Sequence, residues 1–550
     1  MAQSPSIDQK WKEIDQQMQE GQFKSIQPKI DEVKTLSRKQ NNEQSLIKAL
    51  FYEAKIKVAT SDETEDVNFV FDAFKKEIDG KSKVKDAIFS SYLAQLYQLY
   101  FSENRWTIQK RTNVENQTSN DVRFWTVETF TKTINANFSK SIADKNVLLN
   151  EKVGNWKTIL NFGDDKKQTQ LQADLTPTIY DVLVYDYINY LTENDDKAKK
   201  IELYNELISI NQKQNNQNAV LYSELNLLNY KNNNISSSDF INQKKSLATK
   251  YPQAWYSAYV YSSLATDLYA LEENKLENIN QIFDIQKKVN QLYPTSSEKK
   301  SIDNLIAKIN SKEFKIEAEK YITENKNAPI KISHKNLDKI YVKVLAYNVG
   351  FEDNEKQDAL YVYNDNRLKE AQNFLNTLKV VNEYAIDLKS FDDYQFHASV
   401  VKLNPLANGR YIVLFSPDQT FNLKSKDEVD YIDIAATKYA LNVLNDKISV
   451  VDRESGEPEK NVSVEILNRS NYNVKDDKKI VVSDKNGEII IPTKWQNFEY
   501  RIKDENAIYS SYTYDYYDSK SVVNQVKIFT DRAIYRPGQI VYFKGILYNS

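Results

Sequence analysis

Apolar residues repeat at helical spacing from Ile7 to about Ser311, and from about Lys312 they alternate with a period of two. That switch divides the chain into a helical part and a β part before any motif is considered. Leu46, Ala49, Leu50, Ala54 and Val58 mark one helix face in the first part, and Ile302, Leu305, Ile306 and Ile309 mark another. Phe314, Ile316 and Ala318 alternate with Lys315, Glu317 and Glu319 in the second. At 550 residues the chain is too long for one core, so three or four domains are expected.

In the helical part, Thr295 with Glu298 forms a capping box, and Thr176 before Pro177 reads as an N-cap with proline at the first helical position. After Pro177, apolar residues surround the helix axis from Ile179 to Leu191, so this helix is expected to be enclosed by neighbours. Tyr- and Ala-rich faces such as Tyr251–Tyr256 leading to Ala265 and Tyr269 suggest packed helical pairs of tetratricopeptide type. A steady repeat is missing, so the expectation is an irregular α-solenoid over 1–311. The Asn- and Gln-rich stretches 211–216 and 232–234 read as exposed loops.

Beyond it, Ile340–Leu345 and Arg410–Phe415 read as strands, a helical insert spans about Arg367 to Val381, and Asn404–Gly409 supplies turn chemistry. These belong to a β-sandwich over 312–427. A second is expected over 428–525, with Val450–Pro458 as strand then turn and a hairpin centred on Asn486-Gly487. The residues 526–550 read as the first hairpin of a further domain. Pro537 and Gly538 fit the central positions of a type II turn there. The strand after it carries Ile540, Tyr542 and Ile546 on one side and Val541, Phe543 and Leu547 on the other. A two-stranded ribbon is marginal alone, so this domain is expected to be truncated, with its other strands beyond Ser550.

Composition removes most chemistries. The chain has 74 Lys and Arg against 77 Asp and Glu, which gives no field to favour nucleic acid or an anionic membrane. No cysteine occurs, which excludes disulfides, thiol nucleophiles and cysteine-ligated zinc. The two histidines, His334 and His397, lie far apart in the sequence and offer no local imidazole cluster. Ten glycines, none in a phosphate-cradling pattern, leave nucleotide binding unsupported. Acidic pairs such as Glu272-Glu273 and Asp392-Asp393 read as solvated faces in a chain that is 27% charged. No catalytic, cofactor or metal residues are assigned, and the chain is expected not to be an enzyme. No segment is apolar enough to span a bilayer. Ser4-Pro5-Ser6 after Met-Ala-Gln reads as the mature terminus of an exported protein or as an ordinary cytosolic one.

Tyrosine, with 37 residues, is the compositional outlier. Its densest patch holds Tyr509, Tyr512, Tyr514, Tyr516 and Tyr517. Two readings stand: a recognition surface, since tyrosine gives large contact area at low entropic cost, or a half-exposed strand that continues the alternation.

The run Asp531-Arg532-Ala533-Ile534-Tyr535-Arg536-Pro537-Gly538-Gln539 resembles the signature that opens a macroglobulin-like domain in the α2-macroglobulin family. Leu175–Asp181, with Asn304-Leu305 and Ile309, resembles the helical N-terminal region of large bacterial members of Bacteroidetes type. Asp452-Arg453 through Gly456 and Pro458 is similar both to macroglobulin-like and to carboxypeptidase-regulatory-like sandwiches. The resemblance implies a helical region followed by macroglobulin-like sandwiches, in a broad-spectrum inhibitor that traps target proteases by rearranging when a bait segment is cut. It also implies an exported protein of the periplasm, outer-membrane surface or exterior, with bait and any thioester outside this chain. Asp531, Arg532, Tyr535 and Arg536 are expected to fix how two sandwiches meet, through bidentate bonds, rather than to touch a ligand. The alternative is a cell-surface or periplasmic adaptor or adhesin whose helical domain binds an envelope protein partner.

Overall fold

The structure, a computed structural model, describes residues 7–20, 23–40, 42–60, 67–111, 120–156, 173–193, 196–232, 237–347, 368–422, 429–444, 447–468, 478–491, 497–503, 505, 509–512, 524–530 and 540–549. Contacts divide it into two units, Met1–Asn304 and Leu305–Ser550.

The first unit is helical. Its earlier half is organised around the helix Lys83–Glu103, which packs on Glu43–Thr60, Asn68–Glu77, Val127–Ser141 and Ile179–Glu193. Aromatic rings fill that core: Phe51 stacks on Tyr92 at 3.9 Å, Phe71 on Tyr97 at 4.4 Å and Phe138 on Tyr187 at 5.3 Å between centroids. The helix after Pro177 is enclosed as its sequence implies, with Ile179, Leu183, Val184, Tyr187, Ile188 and Leu191 all buried. From Lys197 to Leu292 each helix packs on the next in sequence.

Both predicted caps fall a little early. Thr178, not Thr176, closes the box on the helix Ile179–Glu193: Asp181 N–H donates to Thr178 Oγ1 (3.3 Å) and Thr178 N–H to Asp181 Oδ2 (3.0 Å). Ser296, not Thr295, caps Ser297–Asn310, its Oγ accepting from Lys299 N–H at 3.3 Å. In each case a hydroxyl competes with a second one close by, and only backbone geometry selects between them.

The second unit holds two sandwiches and a ribbon. The first sandwich comprises β1 (Glu313–Ala318), β2 (Tyr321–Ile322), β3 (Ala328–Lys335), β4 (Lys339–Ala346), β5 (Lys379–Asp387), β6 (His397–Leu403), β7 (Gly409–Ser416) and β8 (Asp430–Ala436). They form sheets β1-β3-β6 and β2-β8-β7-β4-β5, antiparallel except for the two-residue parallel pairing of β2 with β8. Ile330, Ile332 and Leu403 from one sheet meet Val342, Val344, Val413 and Phe415 from the other. The helix Leu368–Thr377 covers the opposite face of β7, placing Leu375 against Ile412 and Leu414. This explains why β7 is apolar without alternation and buried throughout.

Three expectations are corrected here. The helical insert ends at Thr377, because Lys379–Val381 enter β5, where Lys379 and Val380 pair with β4 and Val381 sits at a register shift. The first sandwich extends past residue 427: Asp430–Ala436, read as the start of the second, pairs with β7. The Asn486-Gly487 turn does not join a hairpin. In the second sandwich, β9 (Tyr439–Leu444), β10 (Lys447–Asp452) and β13 (Glu488–Ile490) form one sheet. The other contains β11 (Ser463–Asn468), β12 (Lys478–Val482), β14 (Asn497–Ile502) and β15 (Tyr509–Tyr512). The turn therefore carries the chain from β12 in one sheet to β13 in the other. The residues still form a turn, with Gly487 at φ +73° and Asp484 accepting from Asn486 and Glu488 N–H. Ser483 fixes the corner by donating its hydroxyl to the Glu459 carbonyl at 2.7 Å and accepting from Val462 N–H at 2.9 Å.

The ribbon is β16 (Asn524–Thr530) paired with β17 (Phe543–Asn549), Thr530 opposite Phe543. Ile540–Tyr542, expected at the start of the second strand, precede the ladder. The Pro537-Gly538 turn lies outside the described residues. The register places Val526, Ile528, Phe543 and Leu547 on one face, exposed by 61%, 63%, 71% and 69%. Lys527 and Lys544 stand on the other.

Candidate functional site

Two residues separate β8 from β9, so the sandwiches meet through a short joint rather than a linker. The first of them, Thr437, is buried and donates its hydroxyl to Glu505 Oε2 at 2.8 Å. Asn408 Nδ2 donates to Glu505 Oε1 at 3.0 Å and to Glu324 Oε2 at 2.8 Å. Burial pushes the Glu505 carboxyl above its ordinary range; the bonds from Thr437 and Asn408 oppose this and the Glu324 charge adds to it.

Arg453 crosses the same joint. It follows β10, where Asp452 turns back on its own loop and accepts from Glu454 N–H (3.1 Å), Ser455 N–H (2.9 Å) and Ser455 Oγ (3.0 Å). Gly456, at φ +74°, completes that turn. Arg453 then donates through Nη2 to the Tyr439 carbonyl at 2.9 Å and through Nη1 to the Tyr321 carbonyl of the first sandwich at 3.4 Å. Its guanidinium lies 5.7 Å from the centroid of the Tyr321 ring. Lys326 and Glu454 pair at the rim. Behind the joint, buried Arg410 grips Asp433 through Nε at 2.8 Å and through Nη2, with Tyr347 against its flat face at 4.8 Å.

This arrangement can orient domains. It presents planar donors to fixed carbonyls and carboxylates, which sets an angle. Among the described residues no group of three His, Cys, Asp or Glu could hold a metal ion, and no helix is long and apolar enough to cross a membrane.

Asp531, Arg532, Tyr535, Arg536, Pro537 and Gly538 lie outside the described residues, as do Tyr514, Tyr516 and Tyr517. Tyr509 and Tyr512 stand at the two ends of β15, opposite Tyr500 and Asn497, on an edge of the β12-β11-β14-β15 sheet. At the other Asp-Arg pair of the chain, Asp452-Arg453, the arginine reaches across the joint to the Tyr321 carbonyl. The sequence signal was present in that shared dipeptide following a strand. Glu505, Thr437 and Asn408 carried no such signal. The two histidines are not apart in space, because the pairing of β3 with β6 sets them opposite each other.

No family model matches the chain, and no curated protein matches it. Among solved structures it is similar to a fragment of native alpha-2-macroglobulin from Escherichia coli spanning domains MG0-NIE-MG1, at 11% identity and a TM-score of 0.26, over 36% of this chain and 64% of that one. A second fragment of the same protein, spanning NIE-MG1, matches at 13% identity and a TM-score of 0.25, over 37% of this chain and 97% of that one. The native conformation of the Escherichia coli protein seen by cryo-EM matches at 13% identity and a TM-score of 0.23, over 43% of this chain and 15% of that one. The chain thus spans under two thirds of the first of these structures. Likeness at this level assigns neither activity nor partner to it.

Proposed function

We propose that this chain is the N-terminal scaffold region of an α2-macroglobulin-like protein that traps target proteases by changing shape. The observation that carries the reading is the ribbon. The Asp531–Gln539 signature connects two strands that pair only with each other among the described residues and hold Val526, Ile528, Phe543 and Leu547 outward. Such a face is suited to a sandwich partner, so we assign the ribbon to a further macroglobulin-like domain. The joint at Arg453 and Glu505 supports the same reading, since a trap that rearranges as packed domains needs units held at defined angles. The chain itself acts as scaffold. It contains no cysteine to form a thioester. Export to the periplasm, outer-membrane surface or exterior belongs to this proposal, and so does an envelope partner for the helical unit.

The test is to challenge the whole protein with endopeptidases. A trap gives one early cut, a change in hydrodynamic size and loss of protease activity toward protein substrates. Gradual degradation at unchanged shape and undiminished protease activity would overturn the proposal in favour of an adaptor.

A further inference from the structure

The chain has two histidines, and the fold spends both at one place. His334, near the end of β3, lies directly opposite His397, the first residue of β6. His334 is 2% exposed. Its Nε2 is 3.1 Å from Ser399 Oγ, and its ring also bonds the Leu337 backbone. His397 stacks on Phe391 with centroids 3.7 Å apart, and its Nε2 lies 3.0 and 2.9 Å from the two carboxylate oxygens of Asp393. Both rings line a cavity of about 40 Å³, with Ser390, Asp392 and Gln395. That is room for water. Gln395 Nε2, from a residue that lines the cavity, is buried without a protein partner, a donor that a water in the cavity would satisfy.

The surrounding charges are unevenly shared. Asp393 is engaged by His397, and Asp392 is exposed and 3.5 Å from Ser390 Oγ. Lys335, next to His334, is held by Glu313 of β1 at 2.6 Å and by the Lys308 carbonyl at 2.9 Å. The Lys389 amine lies 4.8 Å from the Phe391 centroid. The Asp393 carboxylate stands beside His397, whereas the bonding partners of buried His334, Ser399 and Leu337, are neutral, so a charge on His334 would face the other imidazole with no counter-ion of its own. β6 is an edge strand, joined to its sheet through β3.

We propose that His334 and His397 form a pH-operated clasp, whose double protonation on acidification loosens the start of β6 and the 388–396 turn from the edge of β3. Burial keeps His334 below the ordinary imidazole value; the Leu337 bond opposes this and His397 repulsion adds to it. The sign follows. The folded state then binds fewer protons than the unfolded one below about pH 6.5, so stability at this corner falls as pH drops through that value.

Histidine-selective NMR on the whole chain reads the clasp directly, because two imidazoles give two titrations that His334→Gln and His397→Gln assign. The expected result is that the His334 signal titrates below about pH 6.5, and that His397→Gln raises its midpoint. In the unaltered chain, amide exchange over 388–400, corrected for intrinsic rate and referenced to β7, should rise about tenfold between about pH 7.5 and 5.5. In His334→Gln it should not. Two independent titrations at the ordinary value, or a pH response that persists in His334→Gln, would overturn the proposal. If His334→Gln fails to fold, the unaltered chain and His397→Gln decide alone.

Discussion

The first sandwich and the terminal ribbon are built from the same alternating pattern and end in opposite situations. In β3, Ile330 and Ile332 are fully buried by strands of the facing sheet. In β16 and β17, Val526, Ile528, Phe543 and Leu547 stand on a face that remains mostly exposed. Alternation therefore selects which residues share a face. What covers that face is settled by strands elsewhere in the chain or by another surface.

Truncating one buried and one exposed residue separates the two regions. Ile332→Ala should cost about 2–5 kcal/mol in urea unfolding, since the buried side chain leaves a cavity. Ile528→Ala should stay within about 0.5 kcal/mol, because there is no packing to lose. Equal effects would show that the ribbon face is covered.

Next in size is the joint region. Arg410→Ala should cost about 3 kcal/mol, as it strips Asp433 of its bidentate partner and opens space against Tyr347. Unfolding measured at neutral pH checks this.

The two turns of the second sandwich sharpen the contrast between packed and open positions. Gly487 and Gly456 share a positive φ, +73° and +74°. A Cβ at Gly487 would collide with the Val450 carbonyl, whereas one at Gly456 meets open space. Gly456→Ala should cost about 1 kcal/mol through backbone strain alone, and Gly487→Ala clearly more. Thermal melts of the two variants give the ranking.

A change in the helical unit has the opposite sign. Asp186, in the helical core, accepts from Ser91 Oγ at 3.0 Å and Gln95 Nε2 at 3.2 Å, and burial raises its pKa to about 6 against the opposing Ser91 bond. The folded state then holds a proton that the unfolded chain has released between about pH 4 and 6, so stability falls as pH rises through that window. Asp186→Asn should stabilise by about 1–2 kcal/mol at pH 8 and by nothing near pH 4. Unfolding free energies at the two pH values test it.

Much of this fold could be read from local sequence. The change from helix to strand is legible because Ile306 and Ile309 on one side and Phe314 and Ile316 on the other follow incompatible periods. The turn at Asn486-Gly487 was legible too, since Asp484 and a positive φ at Gly487 are local chemistry. Its strands were misassigned because sheet membership depends on distant pairing: Ser463↔Val482 and Ser449↔Glu488 decide it. The same limit hid the candidate sites. His334 and His397 meet only through the β3–β6 register, and Glu505 reaches Asn408 and Thr437 from far along the chain. Arg453 was the exception. Its Asp-Arg pair resembles Asp531-Arg532, yet Asp452 holds its own turn while Arg453 reaches across the joint, a division that the dipeptide alone does not display.

The apolar face of the ribbon stands uncovered among the described residues. Native-state amide exchange of this chain tests it most directly, comparing peptides over 524–530 and 543–549 with those over β4 and β7. Exchange of the ribbon amides at least about a thousandfold faster than the β7 amides is the predicted result. Protection of the ribbon equal to that of β7 would contradict it.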